Sequence, residues 1–217
     1  MGWRYDSEKL FKINTDIVKD YFNKKASLVF SEEEGKLEEK CLLKFIPKKN
    51  FLSILDLGCG NGRWAKVLKN KISNYVGVDF SETFITESKK LFNNNKNFSF
   101  HCMSAEEYLS EEKFDIIFII GLMTYMNDNQ ILKMIDNLKK MLSKSGRIIV
   151  RNVTLAEANK GRRVYDRKLN IIEKFLGRKN YQIIRRTPEE EINFFHHFEL
   201  ERTSNIPNTG YIFYIFK

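Results

Sequence analysis

Cysteine, histidine, proline and tryptophan are all scarce in this chain of 217 residues, which has three Cys, three His, three Pro and two Trp. Cys41, Cys59 and Cys102 are too few and too scattered for a disulfide framework or a zinc site, so no metal is expected. Cys41 and Cys102 read as buried free thiols. The longest apolar stretch, Ile116 to Met123, is interrupted by Gly121. It falls far short of the ~20 residues of a membrane span, so no membrane insertion is expected. The opening residues, MGWRYDSEKLFK, lack the apolar centre of a secretion signal, and a cytoplasmic location is the expectation. There is no Pro/Gly/Ser linker and no internal repeat, which favours a single domain over 1–217.

What is abundant is charge and β-forming apolar residue. Charged residues make up 30% and hydrophobic residues 42%, an ordinary globular balance. The net charge is +9, and its distribution is uneven. Residues 151–186 hold eleven Lys+Arg against three Asp+Glu, and seven of the eleven arginines of the chain lie there.

Two helices are expected at the N-terminus, over 7–23 and 33–45, with Pro47 ending the second. From residue 52 the pattern becomes an alternation. Strands are expected at 52–57, 74–79, 98–102, 114–120 and from 146. Helices are expected at 63–71, 82–92 and 128–142, with Ser81 capping the second of these. The 114–120 run (FDIIFII) is apolar on both faces, as in a parallel sheet covered on both sides. Beyond it a basic helical segment is expected over about 155–177. Thr187-Pro188-Glu189 then opens a short helix, and strands at 198–204 and 210–216 form a hairpin around Pro207–Gly210. The fold class is therefore α/β and Rossmann-like. It is a mostly parallel seven-stranded sheet with helices on both faces and a C-terminal antiparallel hairpin.

The segment Ile54-Leu-Asp-Leu-Gly-Cys-Gly-Asn-Gly62 joins a strand to a helix. Glycine there tolerates positive φ and lets a ligand approach the backbone. The spacing is G-x-G-x-G, not the G-x-G-x-x-G of dinucleotide binders. Asp56 stands just before the glycines, where it would oppose a pyrophosphate and suit a cation. Asp79 ends the next strand, where an acid can accept hydrogen bonds from a ribose diol. A ribose and a cation without a phosphate describe S-adenosylmethionine.

ILDLGCGNG followed by VGVDFS resembles the first two motifs of the class I S-adenosylmethionine-dependent methyltransferases. The likeness runs on through Ser104–Glu107, FDIIF at 114–118 and LSKSGRIIV at 142–150, covering roughly residues 50–152. It is also similar, more distantly, to small-molecule and sugar methyltransferases. The resemblance implies that Asp56, Gly58, Cys59, Gly60 and Gly62 shape the methionine pocket. Asp79 would hold the ribose hydroxyls and Phe80 would pack on the adenine. Ala105, with Ser104 and Glu106 beside it, would meet the adenine edge. Family members often carry Asp where this chain has Ser104; serine can still accept a hydrogen bond. Gly121 to Tyr125 would line the floor near the sulfonium. Tyr21 or the Trp3–Tyr5 end would either cover the pocket or serve as ordinary helix surface.

Four parts are expected on this reading: a helical N-terminal cap (1–47), a cofactor-binding core (50–152), a basic substrate cap (153–195) and a hairpin (196–217). Arginines of the basic stretch, Arg151, Arg162 and Arg163 among them, would attract an anionic acceptor. Tyr125 would stand with them on the substrate side. The acceptor is read as a small phosphorylated, nucleotide-linked or glycan molecule. RNA is the alternative, weakened by the lack of an RNA-binding signature and of an N/D-P-P-Y-type tetrapeptide after the fourth strand. A non-catalytic S-adenosylmethionine-binding partner subunit is the other. O-methylation is favoured over N-methylation, with His196, His197 or Tyr125 as candidate base. His101, in the third strand, reads as structural.

Overall fold

A computed structural model describes residues 32–48, 51–153, 163–166, 182–206 and 209–217. The expected helix over 7–23, with Tyr21, lies outside them, as do Trp3, Tyr5 and Arg162. In chain order the elements are α1 (Glu32–Leu42), β1 (Leu52–Leu57), α2 (Arg63–Leu68), β2 (Ile72–Asp79), α3 (Glu82–Leu91), β3 (Phe98–Cys102) and β4 (Phe114–Ile120). Then follow α4 (Asp128–Met141), β5 (Leu142–Val153), β6 (Arg163–Asp166), β7 (Gln182–Arg185), α5 (Pro188–Phe194), β8 (Leu200–Asn205) and β9 (Tyr211–Phe216).

Seven strands form one sheet in the order β3-β2-β1-β4-β5-β9-β8. The first five are parallel; β9 runs antiparallel to β5 and to β8. The expected fold class is therefore the observed one. Side-chain alternation divides the core in two. Leu55, Leu57, Val76, Val78, Ile117, Ile119, Ile148 and Val150 face the apolar side of α4, with Ile131, Met134, Ile135 and Leu138. Ile54, Tyr75, Ile116, Phe118 and Ile149 face the other way, onto Trp64, Ala65 and Leu68 of α2 and Leu42 of α1. No described helix is long and apolar enough to cross a membrane.

Helix starts follow their caps. Asn127 accepts from Gln130 N at 2.8 Å, and the Gln130 side chain returns to Asn127 N. Thr187 and Glu190 make the same reciprocal pair before α5, with Pro188 at the first helical position. Each such cap contributes ~1 kcal/mol.

Three expectations change. Residues 163–166, taken as part of a helix, form a strand paired antiparallel with 182–185. Val164 and Tyr165 are β-formers, and pairing with Ile183 and Ile184 outweighs a helical pattern built mainly from spaced charges. The fifth strand starts at Leu142, not 146, so α4 passes into it without a loop. Cys102 is exposed, because it ends β3 at the sheet edge, whereas Cys41 is buried as expected.

A buried ion network joins α1 to the sheet. Glu38, 1% exposed, pairs with Arg151 at the end of β5, itself 2% exposed, and with Arg63 at the start of α2. Arg63 also donates to Gly35 O at 2.8 Å, and Arg151 stacks over the Tyr211 ring. Glu38→Gln leaves the Arg151 charge buried without its counter-charge. Its expected cost is about 3–5 kcal/mol in equilibrium urea unfolding, since breaking one side of a buried pair strands the other.

Glycine at position 77 is a packing requirement. A Cβ there would lie 2.7 Å from the Phe100 ring and 2.9 Å from Cys59 Sγ. Gly77→Ala should destabilise the fold by about 1–3 kcal/mol in the same assay. The damage should reach the loop that carries Cys59.

Candidate active site

The site lies at the carboxyl ends of β1, β2, β4 and β5, where open α/β sheets bind ligands. The chain leaves β1 through Gly58, Gly60 and Gly62, with φ of +76°, +53° and +76°. Only glycine takes three such values in five residues at no steric cost. Gly58 N and Cys59 N both donate to Val78 O, at 2.7 and 3.0 Å. Gly60 N donates to Asp79 Oδ2 at 2.9 Å, while Asp79 Oδ1 accepts from Ser81 N at 2.9 Å. One carboxylate thus holds both the glycine loop and the start of α3. Each of its oxygens has a second lone pair for a further donor.

Asp56 is buried beneath this loop. Its Oδ2 accepts from the Tyr75 hydroxyl, and its Oδ1 is buried without a hydrogen-bond partner. Burial pushes the Asp56 carboxyl up to about 7; the Tyr75 hydrogen bond opposes this and the Asp79 charge adds to it. Burial likewise raises Asp79 to about 6, against the Ser81 and Gly60 hydrogen bonds. Two desolvated acids around a glycine loop are an anionic pocket lacking its counter-charge. The ammonium and sulfonium of S-adenosylmethionine fit that lack, and a ribose diol fits the remaining acceptor capacity of Asp79.

Across the loop, Gly121 (φ +71°) leaves β4 with its N–H on Arg151 O at 2.6 Å. A short 3-10 turn, Met123–Tyr125, follows. It keeps Tyr125 at this edge, and Leu122 closes against Gly58, 3.2 Å from where a Cβ would stand. Ser104 precedes a second 3-10 turn, Ala105–Glu107, fastened through Met103 N to Asp79 O at 3.0 Å. Glu106 is turned toward α4, where it accepts from Gln130 Nε2 at 2.6 Å. Phe80 is half-buried beside Asp79.

Other expected residues lie elsewhere or differ in role. Arg151 is not an open anion-binding group: it is buried and ion-paired to Glu38. Arg163 begins β6, paired with Arg185. His196 and His197 are exposed beyond the end of α5, with ring centroids 3.8 Å apart and the planes tilted by 44°. His197 neighbours Asp136 and Lys139 in the later turns of α4. The first turn of that helix is the one that faces the site, so neither histidine is at the carboxyl edge. The reason is the direction of α5, which starts at this edge and carries its end away.

Arg186 was hidden within the basic run. It is 1% exposed and donates to Met123 O, Met126 O and Asp128 Oδ1, at 2.9, 2.8 and 2.8 Å. It therefore holds the turn after β4. Its signal was position: it directly precedes a capping box.

The fold around this site is shared with solved methyltransferases. Residues 54–146 match the Methyltransferase domain family. A phosphoethanolamine N-methyltransferase of Triticum aestivum is 27% identical over 131 residues, 59% of this chain and 26% of that protein. A ubiquinone biosynthesis O-methyltransferase of Coxiella burnetii is 27% identical over 148 residues, covering 66% of this chain and 60% of that one. The solved Haemonchus contortus phosphoethanolamine N-methyltransferase 1, in complex with phosphoethanolamine and S-adenosylhomocysteine, superposes with a TM-score of 0.78 at 16% identity. It covers 99% of this chain and 51% of that one. The chain resembles the class I S-adenosylmethionine-dependent methyltransferases over residues 54–146, less than half of its length. It spans about a quarter of the length of the wheat relative.

The raised acids give a pH test. Asp56 and Asp79 hold their protons to higher pH folded than unfolded, where both ionise near 3.8. The native chain then binds more protons between about pH 4 and 7, and ligand-free stability falls as pH rises through that window. Asp56→Asn should flatten this fall, measured as urea midpoints at about pH 4.5 and about pH 7.5. An unchanged slope would show that Asp56 carries no raised proton affinity.

Proposed function

We propose that the protein transfers the methyl group of S-adenosylmethionine to a small phosphorylated acceptor. The carrying observation is the buried Asp56 oxygen, unpartnered beneath a three-glycine loop. Asp56 and the Gly58–Gly62 loop, with Cys59, hold the methionine end. Asp79 takes the ribose hydroxyls. Phe80, Ser104 and Ala105 enclose the adenine, with Glu106 bracing that turn against α4 through Gln130. When bound, S-adenosylmethionine supplies an electrophilic methyl group on its sulfonium. Gly121 leaves room at the floor, and Leu122 and Met123 keep water from it. Tyr125 faces the acceptor side. The chain acts as one domain, with 50–152 for the cofactor and 153–195 toward the acceptor.

An anionic acceptor is supported by the charge of 151–186 and by relatives named for phosphoethanolamine. The relatives include both N- and O-methyltransferases. Alignment of acceptor and cofactor in a dry pocket supplies much of the rate in such a reaction.

Purified protein incubated with methyl-labelled S-adenosylmethionine and fractionated cell extract should place label in small anionic metabolites. Label in RNA would overturn the acceptor class and keep the cofactor. Binding without transfer would make the chain a partner subunit. His196→Ala with His197→Ala should leave turnover within about twofold of the parent, since side chains away from the chemistry contribute little to the barrier. A loss of a hundredfold or more would return a histidine to the reaction.

A further inference from the structure

A second buried polar group lies at the same sheet edge, next to β5. Asn152 follows Arg151, whose carbonyl is bonded to Gly121 N, so it stands level with the exit of β4. It is 1% exposed, and neither its amide oxygen nor its amide nitrogen has a hydrogen-bond partner. Tyr214 of β9 pairs with Val150 and so shares the sheet face of Asn152. Its hydroxyl is also buried without a partner. Glu191 of α5 closes the group, 3% exposed, with Oε2 unpartnered. The three side chains belong to three elements far apart in sequence.

Buried polar atoms are nearly always satisfied, and four unsatisfied atoms in one place are costly. Asn152 and Tyr214 face Glu191 closely enough to favour its charged form, but they do not close hydrogen bonds of ordinary geometry with it. Arg186 is the nearby cation, and its terminal nitrogens are already bonded to Met123 O, Met126 O and Asp128. Despite that cation, burial pushes Glu191 up to about 8. What the group lacks is a compact donor of several hydrogen bonds carrying positive charge. An ammonium has three donors and no acceptor, enough for Glu191 Oε2, Asn152 Oδ1 and the Tyr214 oxygen, and it leaves Asn152 Nδ2 as a donor for an oxygen of the same ligand. A hydroxyl has a single donor and brings no charge to set against Glu191.

We propose that Asn152, Glu191 and Tyr214 form the receptor for an amino group of the acceptor, making the acceptor a phosphorylated primary amine. The inference rests on the methyltransferase reading and narrows it from either oxygen or nitrogen to nitrogen. It also replaces the expectation of a hydroxyl acceptor. Glu191 is a binding residue in this account, holding the acceptor's amino group as its ammonium in the bound ground state.

The test is calorimetric binding of two probes of equal shape, phosphoethanolamine and 2-hydroxyethyl phosphate, to protein saturated with S-adenosylhomocysteine. The wild type should bind the amine at least about tenfold more tightly, the value of one charged hydrogen-bonded contact. Glu191→Gln should abolish that preference while binding S-adenosylhomocysteine as the wild type does. Tyr214→Phe, which keeps the ring, should reduce the preference about threefold or more. No amine preference in the wild type, no binding of either probe, or a preference unchanged in both variants would each overturn the proposal. S-adenosylhomocysteine binding is measured first and alone. Its absence would instead sink the cofactor reading.

Discussion

The carboxylate of Asp79 holds the rest of the site in place. It bonds Gly60 N on one side and Ser81 N on the other. The glycine loop could not keep three left-handed residues in register without such an anchor, because glycine gains little from any one conformation. The same carboxylate aims α3 away from the sheet edge. Through the backbone carbonyl of Asp79, bonded to Met103 N, the next turn is fixed as well. The loop, the helix start and the Ala105–Glu107 turn are therefore tied together through one residue. Two buried acids then share a small volume, and their mutual repulsion is relieved only by protons or by a cationic ligand.

Periodicity made most of this architecture legible. The strands at 98–102 and 114–120 match their apolar runs residue for residue. Caps at Ser81, Asn127 and Thr187 mark helix starts within one residue. These are local signals, carried by a few neighbouring side chains, and the glycine loop is of the same kind. Composition misled where charge was counted without burial. Arg151 and Arg186 sit in the most basic stretch of the chain, yet both point inward and are consumed by Glu38, Asp128 and backbone carbonyls. Nothing in the local sequence marks Glu38 as the partner of a residue 113 positions away. Asn152, Glu191 and Tyr214 were hidden for the same reason: only the sheet order, with β9 inserted between β5 and β8, brings them together.

The histidines show the converse error. Scarcity made His196 and His197 look informative, and helix direction removes them from the site. Glu191, five residues earlier on the same segment, looked like one of three ordinary acids in a first helical turn. Two of those acids are at least partly solvated, while Glu191 is turned inward. A one-residue difference in helical phase, about 100°, separates a solvated dipole-favouring acid from a buried one.

Gly77 has a consequence for thiol chemistry. The missing Cβ makes room for Cys59 Sγ, which lies buried between Asp56 and Asp79. Burial, with both acids adding to it, raises the Cys59 thiol well above its usual range. Nucleophilic attack needs the thiolate, so Cys59 is inert at neutral pH, and Cys41 is buried too. Cys102 stands exposed on the edge strand. A maleimide dye or spin label would therefore settle there first, at the end of the strand that pairs with Asp79. The natural sequence already offers a single-site attachment point among the described cysteines, within one strand of the glycine loop.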